Sequence, residues 1–407
     1  MAAQAVDGSR AQWRSLGLLA LAALLGMTLW FNASAVAPAL RAEWGLSNAS
    51  AAWLTMSVQI GFVAGTLASA VLNLSDLLDA RRLFAASAVL GAASNAAFAL
   101  LADGLAVAVP LRVLTGVFLA GVYPPGMKLA ATWSRRNRGL AIGLLVGALT
   151  VGSASPHLVR SFDGLDWRAV ILTSSALAAA GGAVVFVGVR QGPFATASPR
   201  FDPRFVARAL GQRGLRLANI GYLGHMWELY AMWTWVPLFL ANLFDDRGAS
   251  RFAAAVLAFS IVAAGGLGCV AAGLLADRLG RTAVTSAAMI ASGASAVAAA
   301  LLLDASPWLL APVLLVWGVT VVADSAQFSA SITELSPPEF LGTALTLQTS
   351  LGFLLTLGSI QLLPIVADAW GWSWAFALLA AGPAVGTAAM LRLRGLPEAA
   401  RLAGGRR

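Results

Sequence analysis

Apolar runs of eighteen or more residues follow one another almost without pause along this 407-residue chain. A run of that length suits a helix crossing a hydrocarbon core of roughly 30 Å at about 1.5 Å per residue. Twelve can be read: 16–40, 51–72, 83–101, 105–131, 139–159 and 169–189 in the first half, then 217–244, 252–276, 283–303, 308–333, 340–367 and 374–391 in the second. Only 11% of the residues are charged and 59% are hydrophobic, whereas soluble domains are about a quarter charged. The fold class expected is therefore an all-α membrane protein with 12 transmembrane helices. The many Gly, Ala and Ser residues suit helices packed closely in lipid.

Basic residues orient the spans. With both termini inside, twenty of the 27 Lys and Arg fall on the inner side, among them Arg10, Arg14, Arg81, Arg82, Arg135, Arg136, Arg138 and the C-terminal arginines. Arg41, Arg160, Arg168, Arg247 and Arg251 fall outside, and Arg112 and Lys128 lie within spans. This bias predicts cytoplasmic termini in a multi-pass protein of a bacterial cytoplasmic (inner) membrane. The net charge of +9 reads as a topology signal and an attraction to membrane lipid, not as a nucleic-acid footprint. The first run is too long for a cleavable signal peptide. Cys269 is the one cysteine, so neither a disulfide nor a Cys-based metal site within one chain is expected.

The long polar connection, 190–216, separates six spans from six. It predicts an N-terminal six-helix bundle (1–189), a cytoplasmic linker (190–216) and a C-terminal six-helix bundle (217–407). "SRRNRGLAIGLLVG" after span 4 and "SPPEFLGTALTLQT" after span 10 match weakly, about 203 residues apart, where a duplication would put them.

The sharpest motif is "GLLADRLGR" between spans 8 and 9, with Gly273, Asp277, Arg278, Gly280 and Arg281. It resembles the loop signature of the major facilitator superfamily. Its first-half counterpart, "LNLSDLLDARRLF", keeps Asp76, Asp79, Arg81 and Arg82 but lacks the glycines. "RVLTG", Arg112 to Gly116, is similar to the family's span-4 arginine motif. The resemblance implies the MFS fold, two pseudo-symmetric six-helix bundles rocking about a central site. It also implies that the 273–281 loop, with Asp76 and Arg81 opposite, locks and releases the inner gate, and that Arg112 is tied to proton coupling.

Ionisable groups inside spans are expensive and point to function. They are Arg112, Lys128, His157, His225, Glu228 and Asp324. Arg112 lies about 13 Å from the outer end of span 4, near the midplane; a tie to backbone carbonyls of a neighbouring helix is the structural alternative. Lys128, the single lysine, follows Pro124 and Pro125, which should kink span 4; it either snorkels to the headgroups or marks the mouth of the cavity. Asp324 and Gln327 share a helical face in span 10. Gly221, His225, Glu228, Met232 and Trp235 recur along one face of span 7, and that stripe is expected to face the cavity, with His225 bonded to Glu228 or Glu228 bridged to Arg112. The proton-coupling candidates are thus Glu228, His225, Asp324 and Arg112. The substrate cavity is expected from Trp30, Asn32, Gln59, Tyr123, Lys128, Trp227, Tyr230, Met232, Trp235, Gln327 and Gln348.

The function class favoured is a secondary active transporter, proton-coupled, moving a small polar or organic solute by alternating access. It would act as a monomer, with a small-molecule substrate, protons and lipid as its partners, and without a cofactor. A copper-type importer is the alternative within the family, since Met27, Met56, Met127, Met226 and Met232 lie in spans. A non-transporting sensor on the same fold is the other. No nucleophile constellation or phosphate loop suggests an enzyme.

Overall fold

Six helices start where a side chain accepts one of their first free amides. Ser9, Ser47, Asp79, Asp166, Ser250 and Ser306 each accept a backbone N–H one to three residues into the following helix. The computed structural model describes residues 9–133, 138–161, 166–194, 204–337 and 340–406. Arg135, Arg136, Pro338 and Glu339, used in the topology and repeat readings, lie outside the described residues.

Twelve long helical units follow in order: α1 (Arg10–Ala35), α2 (Asn48–Val71), α3 (Ala80–Leu101), α4 (Leu105–Leu119 continued by Tyr123–Ala131), α5 (Arg138–Arg160) and α6 (Trp167–Gly188). After a short helix at Arg204–Gly211 come α7 (Arg213–Asp246), α8 (Arg251–Leu279), α9 (Arg281–Leu301), α10 (Pro307–Val321 continued by Ser325–Leu335), α11 (Leu341–Trp370) and α12 (Trp372–Leu379 continued by Ala381–Arg394). Eleven of these units are long and apolar enough to cross a membrane. α7 is long enough too, but Asn219, His225, Glu228 and its aromatic run dilute its apolarity, and it buries most of its residues in protein. The chain is a multi-pass membrane protein.

Three spans are not the uninterrupted rods their composition suggests: α4, α10 and α12, the last interrupted at Ala380. α4 breaks at residues 120–122, just before Pro124 and Pro125 at the start of its second segment, as the missing proline N–H and ring clash demand. α10 breaks at residues 322–324 with no proline present, and Asp324 stands at the break. The first apolar run also divides: α1 ends at Ala35, and Pro38 opens the separate helix Ala37–Trp44.

α1 packs on α5 and α6, α2 on α4, and α3 on α4 and α6; in the second half α7 packs on α11 and α12, and α9 on α10 and α12. The two six-helix bundles meet mainly along α5–α8 and α2–α11. At the first crossing, a Cβ on Gly143 would sit 2.9 Å from the carbonyl oxygen of Cys269, and one on Gly147 would sit 3.1 Å from that of Gly266. Only glycine lets these backbones approach so closely. Trp53, Trp308, Trp370 and Trp374 are exposed at the end of the molecule opposite Arg10 and Arg406, where an interfacial aromatic belt belongs.

Candidate functional site

Arg112 is fully buried and spends all its donor groups within the first bundle. Its Nε donates to Leu54 O at 3.2 Å, Nη2 to Trp30 O at 2.8 Å, and Nη1 to Leu29 O, Asn32 Oδ1 and Asn95 Oδ1 at 3.0, 2.9 and 2.8 Å. Asn95 in turn donates to Ile171 O and Ser175 Oγ of α6. One guanidinium thus joins α1, α2, α3 and α4, with α6 attached through Asn95. Among the described residues no carboxylate forms an ion pair with it, so Glu228 does not bridge to Arg112. The fork geometry of arginine, which suits several acceptors at once, takes that place.

Glu228 is equally buried but turns into the second bundle. Its Oε2 accepts from Ser292 Oγ of α9 and its Oε1 from Trp317 Nε1 of α10, both at 2.7 Å. The expected stripe of α7 therefore does not face the middle of the molecule as a unit. Trp227 Nε1 donates to Leu378 O of α12 and Trp235 Nε1 to Ile360 O of α11, while Gly221 lies against Phe328 and Met390. Tyr230 and Trp233 of α7 meet aromatic rings of the first bundle. A carboxylate needs donors on both oxygens when water is absent, and the serine and indole of α9 and α10 supply them.

His225 likewise does not bond to Glu228. Its Nδ1 lies 2.8 Å from Oδ1 of Asp324 at the break in α10, with both side chains buried. The pair meets at ion-pair distance without hydrogen-bond alignment, and Nε2 of His225 has no hydrogen-bond partner among the described residues. Tyr222 and Phe328 flank the imidazole, with ring centroids at 5.9 and 5.6 Å. The break in α10 is what gives Asp324 its position. Gln327, one turn on, faces elsewhere and accepts from Arg281 Nη1 at 2.9 Å.

The motif expected as a loop is mostly helical: Gly273 to Leu279 are the last turns of α8, Gly280 alone makes the turn, and Arg281 opens α9. Arg281 pairs with Asp277 at 2.9 Å and Glu334 at 3.0 Å, while Gly280 before it takes φ +98°, a region glycine enters without strain. Arg278 is exposed and Gly273 is buried. Glu334 also accepts from Ala403 N at 2.8 Å, and Arg406 donates to Asp277 O. The segment Pro397–Gly405 is thereby tied to this motif. On the first-half side, Asp79 pairs with Arg81 at 3.1 Å; the side chain of Asp76 lies outside the described residues.

Between the bundles lies an aromatic cluster: Trp30 and Phe31 of α1, Phe62 of α2, Tyr230 and Trp233 of α7, and Phe353 of α11, with centroid separations of 4.7–5.8 Å. Tyr123 reaches Phe62 at 6.5 Å. One turn along, Thr356 Oγ1 of α11 donates to Gln59 Oε1 of α2 at 2.5 Å.

A family model described as Major Facilitator Superfamily matches residues 18–360. The chain belongs to the major facilitator superfamily. Among relatives of this superfamily member, an MFS-type transporter, pytF, from Aspergillus terreus is 28% identical over 175 residues. That match covers 42% of this chain and 56% of the relative, so the chain spans a little over half of that protein's length. Solved structures with the same fold include a D-xylose-proton symporter (TM-score 0.73, 16% identity, 96% of this chain and 99% of that one). A bacterial homologue of the human lysosomal transporter Spinster aligns at TM-score 0.69 with 15% identity, over 96% and 99%.

Of the cavity residues expected in this superfamily member, Trp30, Tyr230 and Tyr123 join the aromatic cluster and Gln59 borders it. Gln348 is buried with neither amide atom partnered among the described residues, and Met232 is fully buried. Asn32 serves Arg112, and Lys128 lies half-buried in the second segment of α4. Ser292, Trp317, Glu334, Phe62 and Phe353 were not singled out from sequence. Serines, aromatics and helix-end glutamates are common in spans, so nothing in their spacing marks them; only Glu334, close to the inner end of span 10, carried a charge that could have been noticed.

Proposed function

We propose that this protein is a secondary active transporter which moves a small organic solute across the cytoplasmic membrane by alternating access, with a proton carried on the His225–Asp324 pair. The observation that carries this reading is the pair itself, 2.8 Å apart, buried, and placed at an interruption of α10. Proton loss leaves the pair negative and proton gain leaves it positive, so either event changes the balance of forces on α10. A helix broken without proline at that residue can take up the change by moving one segment. The 273–281 motif at the α8–α9 turn, with Arg281 held by Asp277 and Glu334, serves as the inner gate in this reading, and both termini are cytoplasmic. Two solved structures that share the fold are described as proton-linked xylose transporters; at 14% and 16% identity they support the fold alone.

The test uses proteoliposomes with a trapped pH dye, given inward gradients of individual solutes from a metabolite panel. A transported solute should drive proton movement in the unmodified protein. In Asp324→Asn, solute exchange should continue while proton movement is lost. Solute flux with no accompanying proton movement in the unmodified protein would rule the coupling out.

A further inference from the structure

We infer that the space between the bundles takes an uncharged, oxygen-bearing ring solute, recognised by aromatic faces and by hydrogen-bond donors rather than by an ion pair. This rests on the transport reading and names the solute class for it.

Two observations carry the inference. The first is how the charges are disposed. Arg112 is satisfied by three carbonyls and two asparagines, Glu228 by Ser292 and Trp317, and Arg281 by Asp277, Glu334 and Gln327, while His225 and Asp324 face each other at 2.8 Å. A solute carrying a full charge into the middle of the molecule would have to break one of these arrangements to find a counter-ion, leaving a buried charge alone.

The second is what is left unsatisfied. Trp30 Nε1 and Trp233 Nε1, on two rings of the interbundle cluster, are buried and have no hydrogen-bond partner among the described residues. Neither has Nε2 of Gln59, whose oxygen is already occupied by Thr356 across the interface. Gln59 and Thr356 each stand three residues from a cluster ring on the same helix, Phe62 and Phe353, which are themselves 4.7 Å apart. Buried polar groups are normally paired, and three unpaired ones around a single cluster are all donors. They call for acceptors on the ligand: carbonyl, ether or hydroxyl oxygens. N–H groups without acceptors add positive ends to the cluster, which opposes the cation that an aromatic box could otherwise hold. The rings offer flat apolar faces, so the acceptors belong on the edge of a ring system. Arg112 takes part at a distance, since its bonds to the carbonyls of Leu29 and Trp30 fix the backbone that carries the first indole.

The test is calorimetric titration of the purified full-length protein with neutral probes (coumarin, menadione and methyl glucoside), and with a carboxylate and a trimethylammonium derivative of each. At least one neutral probe should bind, and its charged derivatives should bind at least tenfold more weakly. Trp30→Phe and Trp233→Phe, which keep a ring and remove an N–H, should each weaken that binding about fivefold to tenfold. Trp133→Phe, which removes an indole N–H bonded to Arg190 O far from the cluster, should leave it unchanged. Equal or tighter binding of a charged derivative overturns the inference, as does failure of all three neutral probes to bind or indifference to both cluster substitutions. Binding of a neutral probe without any proton-linked flux would remove the transport reading and leave the solute class standing. Proton-linked transport of a charged solute would do the reverse.

Discussion

Trp317 donates its indole N–H to Oε1 of Glu228 at 2.7 Å, across from the Ser292 hydroxyl on Oε2. A carboxylate in the middle of a membrane-spanning bundle is thus met by two neutral donors and needs no cation. Glu228→Gln turns one acceptor into an NH2 group that must face a donor. We expect this variant to lose about 1–3 kcal/mol of stability, read as a lowered unfolding temperature of the purified protein. Trp317→Phe in the Glu228→Gln background should cost less than in the parent, because the two changes share one contact. Fully additive losses would mean that this hydrogen bond does not hold the helices.

Arg112→Lys is the least conservative of the charge-preserving substitutions available here. Lysine brings three donors on a single atom to acceptors spread over α1, α2 and α3, and cannot reach them all. Buried carbonyls would lose their side-chain donor and the Asn32 oxygen would be left unpaired, at a cost of about 2–4 kcal/mol. Chromatography in detergent after mild heating should show an aggregated fraction that the parent lacks. An unaltered profile would show that the network is dispensable.

Deletion of residues 397–407 should loosen the 273–281 segment, the end of α8 and its turn into α9. Glu334 loses the N–H of Ala403 and the backbone carbonyl of Asp277 loses Arg406, so one of the two carboxylates that hold Arg281 becomes freer and the end of α8 loses a tie. Hydrogen–deuterium exchange across the last turn of α8 and Gly280 should rise several-fold against the full-length chain, with the α5–α8 crossing unchanged. Exchange that stays level would free the tail of any bracing role.

At the opposite side of the repeat, Asp79 titrates below its ordinary carboxylate range, held there first by its hydrogen bond to Arg81 and then by the backbone N–H groups of Arg81 and Arg82. A lowered folded value means that the contribution is fully present above the unfolded pKa and is lost as pH falls through the folded one. The N-terminus of α3 should therefore exchange faster, beyond the intrinsic pH effect, as pH drops from about 6 to about 3. Asp79→Asn should abolish that extra pH dependence. The partly exposed pair makes this a local effect.

The number of crossings, the break before Pro124 and the family membership were legible in the sequence, and so was the short list of buried ionisable groups. Which of those groups meet was not. His225 and Glu228 are one turn apart on α7, and spacing alone makes them partners; in the fold their side chains diverge, one to the break in α10 and the other between α9 and α10. Arg112 has carbonyls within reach from α1 and α2, which carry no mark in a sequence because every residue has one.

What the sequence determined by itself is the set of apolar lengths that must leave water, and the few charges that must go with them. Hydrocarbon burial acts on each span locally, so a single chain's composition reveals it. The tertiary structure alone decided the pairing, because a buried charge is satisfied by whichever donors and acceptors neighbouring helices bring within about 3 Å. That choice depends on helix rotation, on the unannounced break at Asp324, and on glycine contacts such as Gly143 against Cys269.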